Sequence, residues 1–279
     1  MMMKTKLLTL IILAISYSSY AQTAYDKIYT NDKIIECTIK EVTPDAVKFC
    51  YPNEDLVNSI YKNTILKIEY KSGRVEEFAE ATSFKTVRSG ADWENVSITQ
   101  IESEVKGLFK LEDVSSKAKG TTAIANVNKV KDRAMKKLKI EAAMMGGNII
   151  YITQQDTRGN LFGSEYQASQ PTETNYAGVA YTNKRPSFSE FQALYETKKQ
   201  FQFQSKEFLG NNSPDLESTK PKIYNVNINN IEDEKGFIYV YADIPGEESN
   251  KFRVSYFDQE VVVLMYQDKR KIYNLVLGI

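Results

Sequence analysis

The chain has 279 residues, of which 36 are basic and 36 acidic, for a formal net charge of zero. That balance excludes bulk attraction to nucleic acid or to an anionic membrane surface, and 42% hydrophobic residues suit a globular core rather than a membrane bundle. There is no histidine, which excludes Ser-His-Asp and Cys-His catalysis and every His-containing zinc site; an enzyme built on this chain would have to use carboxylates, Lys or Tyr.

Residues 1–21 read as a cleaved secretory signal peptide. Lys4 and Lys6 give the positive start, residues 7–15 are apolar apart from Thr9, and Ser19-Tyr20-Ala21 puts small residues at the −3 and −1 positions. Cleavage is expected between Ala21 and Gln22. An apolar run this short cannot anchor in a bilayer, which takes about 20 apolar residues. No cysteine follows the cleavage position, so no lipid anchor is expected. The longest later apolar run is residues 261–266. The expected product is soluble and exported, periplasmic or secreted, with no integral membrane segment.

Residues 22–83 read as short strands. Runs 34–42 and 46–51 flank Thr43-Pro44-Asp45, and runs 60–70 and 75–78 flank Ser72-Gly73, two hairpin signals. Several short strands in so few residues predict a small β-barrel-like module, since closure hides sheet edges. The chain's two cysteines, Cys37 and Cys50, both fall here. If Val42 pairs with Val47, Ile39 faces Cys50 and Cys37 lies diagonally from it. The pair is a candidate disulfide in an oxidising compartment, or else two small apolar residues of the interior. The segments Asp26-Lys27-Ile28-Tyr29, Asp32 to Ile39, Glu41 to Lys48, and Ile60-Tyr61-Lys62 through Ile68-Glu69-Tyr70 to Glu76 resemble the small barrel modules of exported bacterial proteins. The resemblance covers about 60 residues; it implies a fold and carries no chemistry.

Residues 84–183 predict an α+β domain. Runs 93–101 and 105–114 are strand-like. Residues 126–145 form the clearest helix, with Val127, Val130, Ala134, Leu138, Ala142 and Met145 in one stripe and Gly146-Gly147 as the stop. Strands are expected at 148–153, 165–168 and 176–181, giving a ββαβββ order with one helix on a sheet. Lys129, Lys131, Arg133, Lys136, Lys137 and Lys139 are read as the solvated face of that helix rather than an anion site. Met135, Met144 and Met145 are read as core filler rather than a soft metal site. The order Ala142-Ala143-Met144-Met145-Gly146-Gly147-Asn148-Ile149-Ile150, a loop, then Tyr176-Ala177-Gly178-Val179-Ala180 resembles the periplasmic domain of the Rcs stress-sensing lipoproteins and the YbjQ-like superfamily. That resemblance implies an envelope setting and the fold. Residues 92–183 contain no cysteine or histidine, so no metal-ligand set comes with it.

Residues 184–221 predict a helix and a linker. Pro186-Ser187 followed by Glu190 is a capping box, with Phe188, Phe191, Leu194 and Tyr195 on one face; residues 210–221 read as linker. Residues 222–279 predict an antiparallel β module, with strands at 222–231, 236–244, 251–257, 260–266 and 271–277. The last of these is expected to close the sheet or, alternatively, to serve as a targeting or assembly strand.

No phosphate loop, paired-carboxylate motif, nucleophile elbow or metal-spaced cluster stands out, so no catalytic, cofactor-binding or metal residue is assigned. The expectation is a non-enzymatic exported envelope protein, sensor-like or scaffold, whose partner is an envelope protein. Two alternatives remain: a carboxylate-based enzyme acting on glycan or cell-wall material, which predicts an acid-lined cleft between domains, and a small-ligand carrier, which predicts an apolar cavity in the C-terminal β module.

Overall fold

A computed structural model describes residues 25–30, 33–78, 84–121, 126–160, 169–211, 213–220 and 222–279. The expected signal segment, with Ala21 and Gln22, lies outside the described residues, as does the strand expected at 165–168. The described chain is mostly β, in three sheets, with two α-helices.

The first sheet contains β1 (Asp26–Thr30), β2 (Ile34–Val42), β3 (Ala46–Cys50), β4 (Asn58–Tyr61), β5 (Ile65–Glu69) and β6 (Val75–Glu77), in the order β4-β3-β2-β1-β5-β6. Thr43 closes the first hairpin: its Oγ accepts from Ala46 N at 2.9 Å. Val42 does pair with Val47, but a bulge between Ile39 and Glu41 shifts the register by one, so Thr38 rather than Ile39 faces Cys50. The bulge marks where β2 leaves β1 to pair with β3. Buried Asp26 supports the exchange, accepting from Ile39 N at 2.9 Å and from Lys71 N at 2.8 Å. Ile28, Ile35, Cys37, Val47, Phe49, Ile65 and Ile68 form the interior. Among the described residues no pairing joins the outer strands β4 and β6.

The second sheet has β7 (Ser97–Thr99), β8 (Phe109–Lys119), β9 (Ile149–Asn160) and β10 (Gln170–Thr182) in the order β7-β9-β10-β8, with β7 parallel to β9. Trp93 is not in a strand but in a 3₁₀ turn, Gly90–Asn95, whose cap Ser89 accepts from Ala91 N. Helix α1 (Val127–Met144) joins β8 to β9, capped by Asn126, which accepts from Asn128 N and Lys129 N. The expected stripe is buried except for Val127, which is exposed. Ile140, Ala143 and Met144 are buried as well, because the last turns of α1 are covered on two sides. Gly146 has φ +83°, and a Cβ there would lie 2.5 Å from Ser255 O, so this glycine both ends the helix and admits a strand of the third sheet.

The third sheet is larger than its sequence suggests. Helix α2 (Phe188–Thr197) starts as expected, with Ser187 accepting from Glu190 N. The segment after it is not linker: Gln200–Leu209 is β11 and Leu216–Thr219 is β12, paired with each other. Then come β13 (Asn225–Glu234), β14 (Phe237–Ala242), β15 (Lys251–Phe257), β16 (Val261–Asp268) and β17 (Lys271–Gly278). Strand β17 pairs with β16 on one side and with β11 on the other, and β11 pairs with β13, so the circuit β11-β13-β14-β15-β16-β17 closes on itself. Closure removes the edge that an apolar strand such as Tyr273–Leu277 would otherwise expose. Phe191, Phe201, Phe203, Phe252, Leu264, Leu275 and Leu277 fill the inside of this ring.

One apolar cluster crosses from the second sheet to the ring, joining Ala142 to Met145 with Leu209, Met265 and Ile272. A polar seam runs beside it. Fully buried Asn274 accepts from Gly90 N at 3.1 Å and donates to Met144 O at 2.9 Å. Ser89 donates to Glu207 at 3.2 Å, and buried Arg253 donates to Glu112 at 2.6 Å and to Met145 O at 3.2 Å.

Candidate functional site

The two cysteines lie in the first sheet, and both are buried free thiols. No bond joins them. Burial, reinforced by the negative charge of Asp26 and by Cys50, pushes the Cys37 thiol up to about 12. A thiol held neutral and out of solvent is neither a nucleophile nor a metal ligand. Among the described residues no group of three or more Cys, Asp or Glu could hold a metal ion. Met144 and Met145 are core residues. The basic residues of α1 are more engaged than a solvated face requires. Lys136 pairs with Asp215 at 2.5 Å, Arg133 donates to Lys119 O at 3.0 Å, and Lys137 donates to Gly210 O at 3.0 Å and to Asn211 O, tying the turn before β12 to the helix.

Three clefts open where the sheets meet. The first, about 660 Å³, lies between β8, the end of α1 and the β16–β17 turn. Its floor carries Glu141, whose carboxylate accepts from Ser115 N at 3.2 Å. Burial raises Glu141 to about 7, against the opposing pull of that N–H and of Lys137. Burial in turn lowers Lys137. The other charged groups of the lining are mostly basic, Lys117, Lys137, Arg158, Arg270 and Lys271, with Asp156 the one other acid. Asp156 is held by Arg158 at 2.6 Å. Glycan hydrolysis takes two carboxyl groups flanking the bond; this cleft holds Glu141 and Asp156, and the second is ion-paired with Arg158.

The second cleft, about 710 Å³, lies between the second sheet, the first turn of α2 and the end of β15. Phe84, Tyr256 and Phe257 line it, together with Asn148, Lys85 and Lys184. Asp258 also lines it, but its carboxylate is occupied. It accepts from Glu260 N at 2.8 Å, Val261 N at 2.9 Å and the Tyr256 hydroxyl at 3.0 Å, and pairs with Arg88 at 3.3 Å. Burial raises its pKa, but these donors outweigh that and hold it below the usual range. The third cleft, about 510 Å³, lies between the first and second sheets, where Asn63 donates to Glu104 O at 3.1 Å.

The grouping most like a catalytic centre was not visible in the sequence. On the ring, Lys206 of β11 reaches both oxygens of Glu247, at 2.8 and 2.7 Å, and Tyr266 of β16 donates to the same carboxylate. Tyr266 stacks on Tyr273 of β17 with ring centroids 4.6 Å apart. Burial and the Glu247 carboxylate both raise the Tyr266 phenol. Its proton is therefore held rather than released, and the Glu247 side chain is only 4% exposed. Every polar group of the cluster is engaged by another member, which is the pattern of a structural brace.

Comparison with family models, with curated proteins and with solved structures finds no match for this chain.

Proposed function

We propose that the protein is an exported, non-enzymatic envelope protein that works through protein–protein contacts, with the first sheet as its docking face. In this reading the first sheet is a small barrel-like module, the second an α+β domain, and the partner an envelope protein. One observation carries the proposal. Among the described residues, seven of the ten exposed large hydrophobic side chains lie on the first sheet and its loops: Ile34, Val42, Leu56, Val57, Tyr61, Leu66 and Val75. Leu56 is 69% and Ile34 58% exposed. Exposed apolar side chains gathered on one module mark interaction surfaces. The outer strands β4 and β6 add backbone edges of the kind that peptide partners extend. Export and the envelope setting rest on the leader-like residues 1–21 and on the two family resemblances. No helix among the described residues is long and apolar enough to cross a membrane. The enzyme alternative is disfavoured because one of the two carboxyl groups of the first cleft, Asp156, is ion-paired with Arg158, and the carrier alternative by the filled ring.

The test uses the full chain, because the apolar cluster shared with the ring leaves the second sheet incomplete alone. A Leu56→Asp, Val57→Asp double variant should keep its circular dichroism spectrum and recover its envelope partners at least about tenfold less efficiently than the parent. Equal recovery by both proteins would overturn the proposal.

A further inference from the structure

The second cleft contains a polar atom that the fold does not explain. Asn148 immediately precedes β9 and is 6% exposed. Its backbone is paired: its N donates to Tyr181 O at 3.0 Å and its carbonyl accepts from Ser97 N at 2.9 Å. Its side-chain N–H donates to Asn183 at 2.5 Å. Its side-chain oxygen, also buried, has no donor. Burial normally comes with a hydrogen bond, so an orphaned amide oxygen on a residue that lines a cleft is a place for a donor from outside the chain, a water or a ligand hydroxyl. Three further features limit what that donor belongs to. Phe84, Tyr256 and Phe257 give the cleft aromatic walls. Lys85 and Lys184 stand exposed at its rim, and no ion pair holds either among the described residues. Asp258 is already paired with Arg88, which leaves Glu190 as the lining's one acid without an ion pair among the described residues, against the three lining cations Lys85, Lys184 and Arg185.

A fully deprotonated inorganic anion such as sulfate would satisfy the lysines but has no O–H to give Asn148, and a protonated phosphate, which has one, leaves the aromatic walls unmet. A hydrocarbon would match the rings and leave both the amide and the cations unmet. The volume of about 710 Å³ is that of a small-molecule site, which runs roughly 300–1,000 Å³. We propose that this cleft binds a hydroxylated organic anion of the acidic-sugar class: a ligand O–H donates to the Asn148 side-chain oxygen, the aromatic rings flank the sugar's C–H faces, and Lys85 and Lys184 meet its carboxylate. The N-terminal turn of α2, which borders the cleft at Ser187 and Glu190, adds the positive end of its dipole.

The experiment is a titration of the full chain with glucuronate, glucose and acetate, followed by calorimetry or ligand-observed NMR. Glucuronate carries both features, glucose only the hydroxyls and acetate only the charge. Glucuronate should bind with a Kd on the order of 1 mM or tighter, and the other two at least about tenfold more weakly. Lys85→Ala with Lys184→Ala, two exposed positions that leave the fold intact, should erase the advantage of glucuronate over glucose. Asn148→Ala should weaken glucuronate about tenfold or more. Absence of glucuronate binding, equal binding of all three probes, or binding unchanged in the lysine variant would each overturn the assignment.

Discussion

Asn274→Ala tests the seam between the second sheet and the ring. Asn274 is fully buried, and its amide completes two backbone groups from another part of the chain, Gly90 N–H and Met144 C=O. Truncation leaves both without this partner in a site that water does not reach. A buried polar group left unpaired costs roughly 1–3 kcal/mol, so the substitution should cost about 2–6 kcal/mol. That is a large share of a typical domain stability of about 5–15 kcal/mol. The effect should also be local first, because Gly90 begins the turn that carries Trp93, the chain's one tryptophan. In a urea titration, tryptophan emission should shift at lower denaturant than the circular dichroism signal in the variant, with the two closer together in the parent. Asn274→Asp is the companion. It keeps an acceptor for Gly90 N but sets a carboxyl opposite Glu207, its register partner on β11. Burial raises such a carboxyl, so its penalty should be present at neutral pH and shrink as pH falls. A loss below about 1 kcal/mol in Asn274→Ala, with both probes still coincident, would refute the role given to the seam.

Two further predictions concern titrating groups. Glu141 is raised to about 7 by burial, so the folded state holds a proton that the unfolded chain has released above roughly pH 4.3. Stability should therefore fall as pH rises from about 4.3 to about 7 and level off above, by about 1–3 kcal/mol. Glu141→Gln, which still accepts from Ser115 N, should flatten that part of a pH series of thermal unfolding; an unchanged slope would count against it. The cysteines should be silent: a thiol reagent at neutral pH should leave the native protein unmodified and count both Cys37 and Cys50 after denaturation, given 0% and 3% exposure. No free thiols on denaturation, with a mass lower by two hydrogens, would mean a disulfide instead.

How much of the fold can be read locally depends on how far apart the interacting residues lie. The α1 helix is written in a stripe of three- and four-residue steps and a Gly stop, and its bounds come out within a residue. The hairpins at Thr43 and Gly73, the Ser187 cap and the last five strands are equally local, each fixed by turn chemistry or alternation over a few positions. The alternation Gln200-Phe201-Gln202-Phe203 is as clear a strand signal, but it falls inside the 184–221 stretch read as helix and linker. The ring is beyond local reach, because closure depends on β11 meeting β17, a pairing of Gln202 with Gly278 that no turn announces. The polar sites are hidden for the same reason. An asparagine inside an apolar strand looks like a blemish until its partner is known, and the Asn274–Gly90 bond spans 184 residues. Asn148 gives the mirror image. Its N–H partner, Asn183, lies two strands further along the chain, while its oxygen has no partner among the described residues. The two asparagines thus separate two uses of a buried amide: one closes an interface between sheets, and the other leaves one open toward a cleft.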